Sequence, residues 1–383
     1  MMDSLNTSYE RRPPRFHDVS HEDWQSWHWQ HQNRLRRPGD FEGVLKLSQQ
    51  ERSAFEDISD RFRVAVTPHY AALMDPDDTH CPVRRQALPH PDELLDHSFE
   101  LEDPLAEEEF MPVTGLTHRY PDRALLYTSH HCPVYCRHCT RKRKVSNPTT
   151  AASRDQLQAG LDYIKATPAV RDVIISGGDP LTLSDDRLGF ILSRLREIPH
   201  VEVIRLGTRN PVTLPQRITE DLAQILKKHS PIYVHTHFNH PAEFCSEAAV
   251  ALERLLAAGC VLGNQMVLLR GVNDDQEVIM TLNRRLLLHG CRPYYILQCD
   301  MARGITHFRT PLRKGLEIMD HLRGRIGGMG VPDFVVDLPG GGGKIELLPD
   351  YIVGKEPSEH GQVIRFRNFQ GNEYAFVDVD PAN

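Results

Sequence analysis

From Ala124 onward, short apolar strands alternate with amphipathic helices. This alternation is typical of βα units around a parallel sheet, because parallel neighbours need a crossover connection that covers a face of the sheet. Six such strands are predicted, at about residues 124–128, 173–175, 201–206, 232–234, 262–268 and 294–297. Six units are fewer than the eight of a closed barrel, so the pattern predicts an α/β fold built on a partial (β/α)6 barrel.

The first predicted strand leads directly into a cysteine-rich loop. Cys132, Cys136 and Cys139 lie close together in a chain that has eight cysteines in all. A structural zinc site normally closes with four ligands, whereas three cysteines can hold three irons of a [4Fe–4S] cluster and leave the fourth open to a reactant. The spacing also leaves open a zinc site whose fourth ligand is a nearby histidine: His130, His131 or His138.

Residues that follow the other predicted strands are further candidates, because active sites of parallel barrels lie at the C-terminal ends of the strands. The second strand is followed by Ser176, Gly177, Gly178 and Asp179, where the glycines allow the backbone to approach a ligand with its N–H groups exposed. A tight turn explains them equally well. Lining a pocket is favoured over binding a metal for the histidines after the fourth strand: His235, His237 and His240.

A lysine, Lys344, follows four consecutive glycines near the C-terminus. The string is not a P-loop, because Ile345 stands where that motif requires Ser or Thr. From the residues alone, a glycine-rich hinge with an exposed lysine is the favoured interpretation. The alternative is a lysine that binds pyridoxal 5′-phosphate (PLP) covalently, with flanking glycines that let its backbone move.

Composition limits the class of protein further. The 383 residues are 40% hydrophobic and 25% charged, which is enough to bury a sizeable core. No apolar run approaches the ~18 residues that cross a bilayer, and the N-terminal residues are polar, so we expect a cytoplasmic protein without a membrane anchor. The formal net charge of −7 argues against a general nucleic-acid binder.

We divide the chain into three parts. Residues 1–110 are predicted to form an N-terminal helical extension that packs on the barrel and ends in an acidic linker, residues 101–109, whose charges we expect to be solvated. Residues 111–310 form the predicted barrel. Residues 311–383 form a short C-terminal segment that carries Lys344.

The cysteine motif resembles that of the radical S-adenosylmethionine (SAM) superfamily. The flanking stretches Thr117–Arg123 and Tyr135–Arg141 narrow the resemblance to the lysine 2,3-aminomutase family. It implies a partial (β/α)6 barrel with a [4Fe–4S] cluster on the three cysteines, SAM contacts from His138 and the turn Ser176–Asp179, and a catalytic Lys344 that carries PLP. The residues that match the family's contacts to the PLP phosphate are Arg119, Arg123 and Gln265.

The resemblance also implies a substrate that is charged at both ends. Arg141 would bind its α-carboxylate, and Asp300 and Asp337 would bind its side-chain ammonium. We therefore predict a radical isomerase that converts L-lysine to L-β-lysine by 1,2-amino migration. The same chemistry on arginine, glutamate or a lysine used to modify a translation factor stays open, as does a non-catalytic iron–sulfur or zinc protein.

The resemblance has consequences for partners as well. A small-molecule amino acid substrate, a flavodoxin or ferredoxin as reductant and a homo-oligomer are expected. Members of the family commonly carry a C-terminal cysteine cluster that binds zinc at a subunit contact, but the last cysteine of this chain is Cys299. The zinc-dependent part of the assembly therefore has no counterpart in the sequence.

Overall fold

The computed structural model of the protein describes residues 6–58, 61–145, 153–359 and 361–379. Nine strands form one sheet in which they are ordered as in the chain. Their bounds are β1 Leu116–Tyr120, β2 Arg123–Ser129, β3 Asp172–Gly177, β4 Val203–Gly207, β5 Tyr233–Thr236, β6 Val261–Leu268, β7 Arg292–Gln298, β8 Asp333–Leu338 and β9 Gly343–Glu346.

Strands β2 to β8 are parallel, and β1 and β9 pair antiparallel at the two ends of the sheet. The six predicted strands correspond to β2–β7, and the predicted α/β barrel class is confirmed. Each of the six predicted strands is followed by a crossover helix, so the six βα units are present, and β8 adds one parallel strand after the last of these helices, Leu312–Leu322. The backbone N–H of Lys344 on β9 donates to the Tyr120 hydroxyl on β1 at 2.9 Å, so the sheet is a nearly closed barrel.

Helices cover the sheet and build the N-terminal region. A capping box of Ser153 and Gln156 is present at the start of the first long crossover helix. The α-helices are α1 His21–Gln25, α2 Trp27–Gln32, α3 Gln49–Ile58, α4 Pro68–Ala71, α5 Pro82–Arg85, α6 Lys142–Val145, α7 Arg154–Ala166, α8 Asp185–Arg196, α9 Asn210–Thr213, α10 Glu220–Lys228, α11 Ser246–Ala257, α12 Gln276–Leu288 and α13 Leu312–Leu322.

One hydrophobic core joins the N-terminal helices to the barrel. It runs from Phe16 to Phe334 and includes Trp24, which is fully buried. After the barrel, three antiparallel strands form a separate small sheet: β10 Ile352–Ser358, β11 Gly361–Arg367 and β12 Glu373–Val379. Within the described part of the chain, no helix combines the length and apolarity needed to cross a bilayer. The boundaries of the three predicted parts stay a prediction.

Candidate active site

The cysteine loop follows β2, and backbone contacts to the N-terminal region fix its path. Cys132, Cys136 and Cys139 line one small cavity together. The Tyr135 N–H donates to the Ala65 carbonyl at 3.0 Å, and the Arg137 N–H donates to the Gln86 carbonyl at 2.8 Å. The Arg34 side chain donates to the Cys132 carbonyl. Three thiols from a single loop that face one cavity are a donor set that fits three irons of a cubane cluster.

A buried carboxylate, Glu93, anchors the same loop. It binds Arg137, which lies between two of the cysteines, with the guanidinium Nε 2.9 Å from Oε1, and it also pairs with Lys142. Burial alone would raise the pKa of Glu93, but the two cations outweigh it and lower the pKa to about 2. The loop is therefore tied to the N-terminal region by charge as well as by backbone hydrogen bonds.

Next to the cysteines lies a cluster of buried side chains that contains His138. Its ring is 5.5 Å from that of His237 and 6.2 Å from that of Phe308, centroid to centroid. Nδ1 of His138 and Nε2 of His237 are buried without a hydrogen-bond partner in the described residues. Buried polar atoms normally have partners, so these two ring nitrogens fit contacts to a polar ligand such as SAM.

Arg209 contacts both the cluster around His138 and the cysteine loop. Its Nη1 donates to Cys136 Sγ at 2.8 Å, and its Nη2 donates to the buried carboxylate of Glu243 at 2.6 Å. Its backbone N–H donates to Asp179 at 2.7 Å. A guanidinium that is buried among these groups is held in one orientation, and its charge is directed at a cysteine that is a predicted iron ligand.

The turn after β3 differs in one respect from the sequence-based expectation. The N–H groups of Gly178 and Asp179 are not exposed, because each bonds to a carbonyl of the segment that leads into the cysteine loop. A Cβ on Gly178 would lie 2.5 Å from the His131 carbonyl oxygen, so glycine is required for this backbone contact. The Asp179 carboxylate is also occupied, since it accepts hydrogen bonds from Thr208 and Arg209. The turn thus positions the cysteine loop.

A larger cavity of about 420 Å³ is lined by residues of strands β1 to β7 and by Lys344 of β9. That volume is within the usual range for a small-molecule site. Five cationic side chains, together with Gln265 and Ser176, contribute to its lining. These cations are Arg119, Arg123, Arg141, Arg205 and Lys344. An amine and several guanidiniums around one cavity are a donor set that fits the aldehyde and phosphate of PLP.

Lys344 is presented by the hairpin of β8 and β9. Glycines at 340, 341 and 343 adopt positive φ angles there, and a Cβ on Gly341 would lie 2.4 Å from the Phe110 ring, so the hairpin needs glycine. The Lys344 ammonium pairs with Asp337 on the adjacent strand. Arg119 Nη2 lies 3.4 Å from the other oxygen of Asp337. The lysine therefore lines the cavity with a carboxylate as its resting partner.

The two predicted substrate carboxylates lie near each other. The pKa of Asp300 is raised to about 7, first because the side chain is buried and second because the Asp337 carboxylate is close by. Neither aspartate lines the 420 Å³ cavity, but Asp337 contacts Lys344, which does. Lys344 and Arg119 pair with Asp337 in this structure, and the Asp337 carboxylate in turn disfavours ionisation of Asp300.

Arg141 lies in the same cavity, but in this structure its partner is Glu107. Nε and Nη2 both bind the carboxylate, with the closest contact at 2.6 Å. The charges of the acidic linker were expected to be solvated, and for Glu107 this was wrong, because its side chain is only 6% exposed. Burial would raise the pKa of Glu107, but Arg141 outweighs it and lowers the pKa to about 2. Nothing in the local sequence marks this residue.

The three histidines in and after β5 lie in three different places. His235 lines the 420 Å³ cavity, His237 lies beside His138, and His240 accepts the N–H of Ala242 at 3.0 Å as a turn cap. The three histidines therefore do not converge on a metal, as expected. Sequence reasoning missed the aromatic residues that line the cavity, whose only signal was their position on strands: Tyr120, Tyr294 and Tyr295.

Comparison with known proteins shows which family the chain resembles. A model of the radical SAM superfamily matches residues 126–282, and a model described as lysine-2,3-aminomutase matches residues 319–381. An L-lysine 2,3-aminomutase of Clostridium subterminale is 48% identical over 361 residues, which cover 94% of this chain and 86% of that protein. One of Acetoanaerobium sticklandii is 49% identical over 356 residues, 93% of this chain and 85% of that protein.

A relative with another named substrate is also similar. The glutamate 2,3-aminomutase of Clostridioides difficile is 44% identical over 334 residues, 87% of this chain and 79% of that protein. The chain is therefore similar over most of its length both to lysine 2,3-aminomutases and to a glutamate 2,3-aminomutase. The chain belongs to the lysine 2,3-aminomutase family within the radical SAM superfamily.

Proposed function

We propose that this enzyme converts L-lysine to L-β-lysine by moving the α-amino group to the adjacent carbon. The observation that carries the proposal is the pair of neighbouring carboxylates, Asp300 and Asp337, beside a cavity that also contains Lys344 and Arg141. The pair supplies a cation site, and Arg141 supplies an anion site. A cytoplasmic location and a flavodoxin or ferredoxin as reductant are part of the proposal.

The family is an isomerase family, and its members imply a [4Fe–4S] cluster, SAM and PLP. Cys132, Cys136 and Cys139 would hold the cluster, and Lys344 would hold PLP. His138 and the turn at residues 176–179 would contact SAM. The residues that would bind the PLP phosphate are Arg119, Arg123 and Gln265. When bound, the cluster and SAM supply the radical that removes a substrate hydrogen, and PLP supplies the π-system that lets the amino group migrate.

The protein's own side chains position the substrate for this chemistry. Arg141 binds the α-carboxylate in place of or beside Glu107, which occupies two of its guanidinium nitrogens in this structure. The aspartates bind the side-chain ammonium at the far end. Holding both ends leaves one substrate carbon within reach of the radical, and this restriction of geometry is a large part of what an enzyme contributes.

Electrostatics favour a cationic side chain over an anionic one. Without substrate, Asp300 has a pKa of about 7 because it is buried beside Asp337. An ammonium group between the two carboxylates stabilises both ionised forms, whereas a substrate carboxylate would add a third anion at the same place. This supports lysine over glutamate, although the glutamate 2,3-aminomutase is a relative. Arginine, which is also cationic, is the second candidate.

An anaerobic assay over lysine, arginine and glutamate tests the proposal, with SAM, PLP and dithionite present. Lysine should be rearranged, and Asp337→Asn should reduce its turnover strongly while iron content and SAM cleavage are retained. Asp320→Asn removes one exposed carboxylate on α13 and is the matched control. Turnover of glutamate in preference to lysine, or normal lysine turnover by Asp337→Asn, would show that the aspartates do not select the substrate.

A further inference from the structure

We propose that a basic surface beside the cysteine loop docks an acidic, low-potential electron-carrier protein. This arginine patch consists of the exposed Arg36 and Arg63 and the half-buried Arg34, all from the N-terminal region. The inference rests on the radical chemistry proposed above, because that chemistry needs an electron for the cluster. It adds the place where the electron enters and the chemistry of the partner's surface.

Two arginines of the patch contact the cysteine loop or its cavity. Arg34 Nη1 donates to the Cys132 carbonyl at 2.8 Å. Arg63 is exposed, and it lines the cavity that contains all three cysteines. The Arg63 carbonyl also accepts a hydrogen bond from Arg137 Nη1 at 2.9 Å. The patch is therefore next to the predicted iron ligands.

The third arginine extends the patch outward. Arg36 is exposed, and its charge, with that of Arg34, helps to lower the pKa of His31 to about 4, although burial of that histidine is the larger cause. Asp40 is the nearest acidic group on this segment, but it accepts the backbone N–H groups of Arg36 and Arg37. Among the described residues, no ion pair neutralises an arginine of the patch.

The patch is separate from the substrate site. The small cavity of the cysteines and the 420 Å³ cavity share no lining residue. A carrier can therefore approach the cysteine loop without opening the substrate cavity to water. This separation matters because a radical intermediate must be shielded from solvent while the cluster must stay accessible to its reductant.

Charge indicates the kind of partner. The chain as a whole has a net charge of −7, so the patch is opposite in sign to the net charge of the protein and attracts an acidic partner locally. Such contrast steers encounter and orientation, and its effect on association weakens as salt is added. The redox balance is simple: the carrier loses one electron, the cluster changes from the 2+ to the 1+ state, and no bond forms or breaks at the surface.

The test compares two reductants on the cluster-loaded enzyme. Reduction by flavodoxin hydroquinone is followed by stopped-flow absorbance and by the electron paramagnetic resonance of the 1+ cluster, and reduction by dithionite is the reference. Arg36→Glu should slow reduction by flavodoxin about fivefold at low salt, while dithionite reduction changes less than about twofold. Added salt should slow the wild-type reaction and reduce its difference from the variant.

Lys228→Glu is the matched control, because it reverses one exposed charge at the C-terminal end of α10. Both reductants should reduce the cluster of this variant at the wild-type rate. Equal flavodoxin rates for Arg36→Glu, Lys228→Glu and the wild type would overturn the proposal. So would salt-sensitive binding of an RNA oligonucleotide that Arg36→Glu abolishes while the flavodoxin rate is unchanged. Failure of the wild type to cleave SAM with dithionite would instead count against the proposed function.

Discussion

Replacing Glu93 with glutamine tests whether the N-terminal region holds the cysteine loop. The Glu93 side chain is fully buried between Arg137 and Lys142. Its pKa is lowered from 4.5 to about 2, because the two cations outweigh the effect of burial. At 1.36 kcal/mol per pKa unit this corresponds to about 3 kcal/mol, similar to the cost of breaking a buried ion pair. We expect Glu93→Gln to lower the free energy of unfolding by about 3 kcal/mol at pH 7.

The pH dependence has a definite sign. A carboxyl group whose pKa is lower in the folded state stabilises the fold fully above its unfolded pKa, and this contribution is lost as the pH falls through the folded pKa. For Glu93 the window runs from 4.5 down to about 2. The difference between wild type and variant should therefore decrease as the pH falls below about 4.5.

Urea unfolding and iron analysis after anaerobic reconstitution measure the effect. Asp96→Asn is the control, since Asp96 forms an ion pair with Arg61 on the same region but is 63% exposed. It should unfold at close to the wild-type urea concentration, because exposed ion pairs contribute little to stability. We expect Glu93→Gln to bind less iron than the control. If Glu93→Gln unfolded at the wild-type urea concentration and bound a full cluster, the ion pair would not be what fixes the loop.

Three further predictions concern the site itself. Cys136→Ala should lose both the iron and SAM cleavage, which iron analysis and product chromatography measure. Lys344→Ala should lose the PLP adduct that borohydride reduction traps, and peptide mapping should find no other labelled lysine. Because the pKa of Asp300 is about 7 and an ionised carboxylate is needed to bind an ammonium, the KM for lysine should rise by up to about tenfold per unit as the pH falls below 7. Asp300→Asn should abolish this rise, as a pH series of KM values will show.

Local patterns in the sequence accounted for most of the barrel. Apolar runs between helix caps located the strands β2–β7, because both signals depend on residues within a few positions of each other. Strand β8 was not among the six predicted strands. Its membership of the sheet depends on pairing with β7, about 38 residues earlier, and no local pattern encodes that pairing.

The contrast between Glu107 and Glu108 shows where local reasoning fails. The two glutamates are adjacent in an acidic stretch, yet the side chain of one is 6% exposed and that of the other is 62% exposed. Their difference depends on Arg141, 34 positions away from Glu107. Composition predicts a solvated linker for both, and only the fold determines which of them is buried against a partner.

Buried glutamate–arginine pairs occur three times around the candidate site. Glu93 holds Arg137, Glu107 holds Arg141, and Glu243 holds Arg209, whose guanidinium also contacts Cys136. Each arginine lies in the cysteine loop or at a strand end, where sequence motifs place functional residues. Each needs a counter-charge, because an unpaired buried guanidinium costs several kcal/mol.

Two of these three carboxylates come from the first 110 residues. The N-terminal region therefore supplies charge that the barrel motifs themselves lack, and it also contributes the arginine patch beside the cysteines. A barrel that kept the cysteines and Lys344 but lost this region would leave Arg137 and Arg141 buried without their partners. The chemistry predicted from the cysteine motif and Lys344 thus depends on the N-terminal region, which contains neither of them.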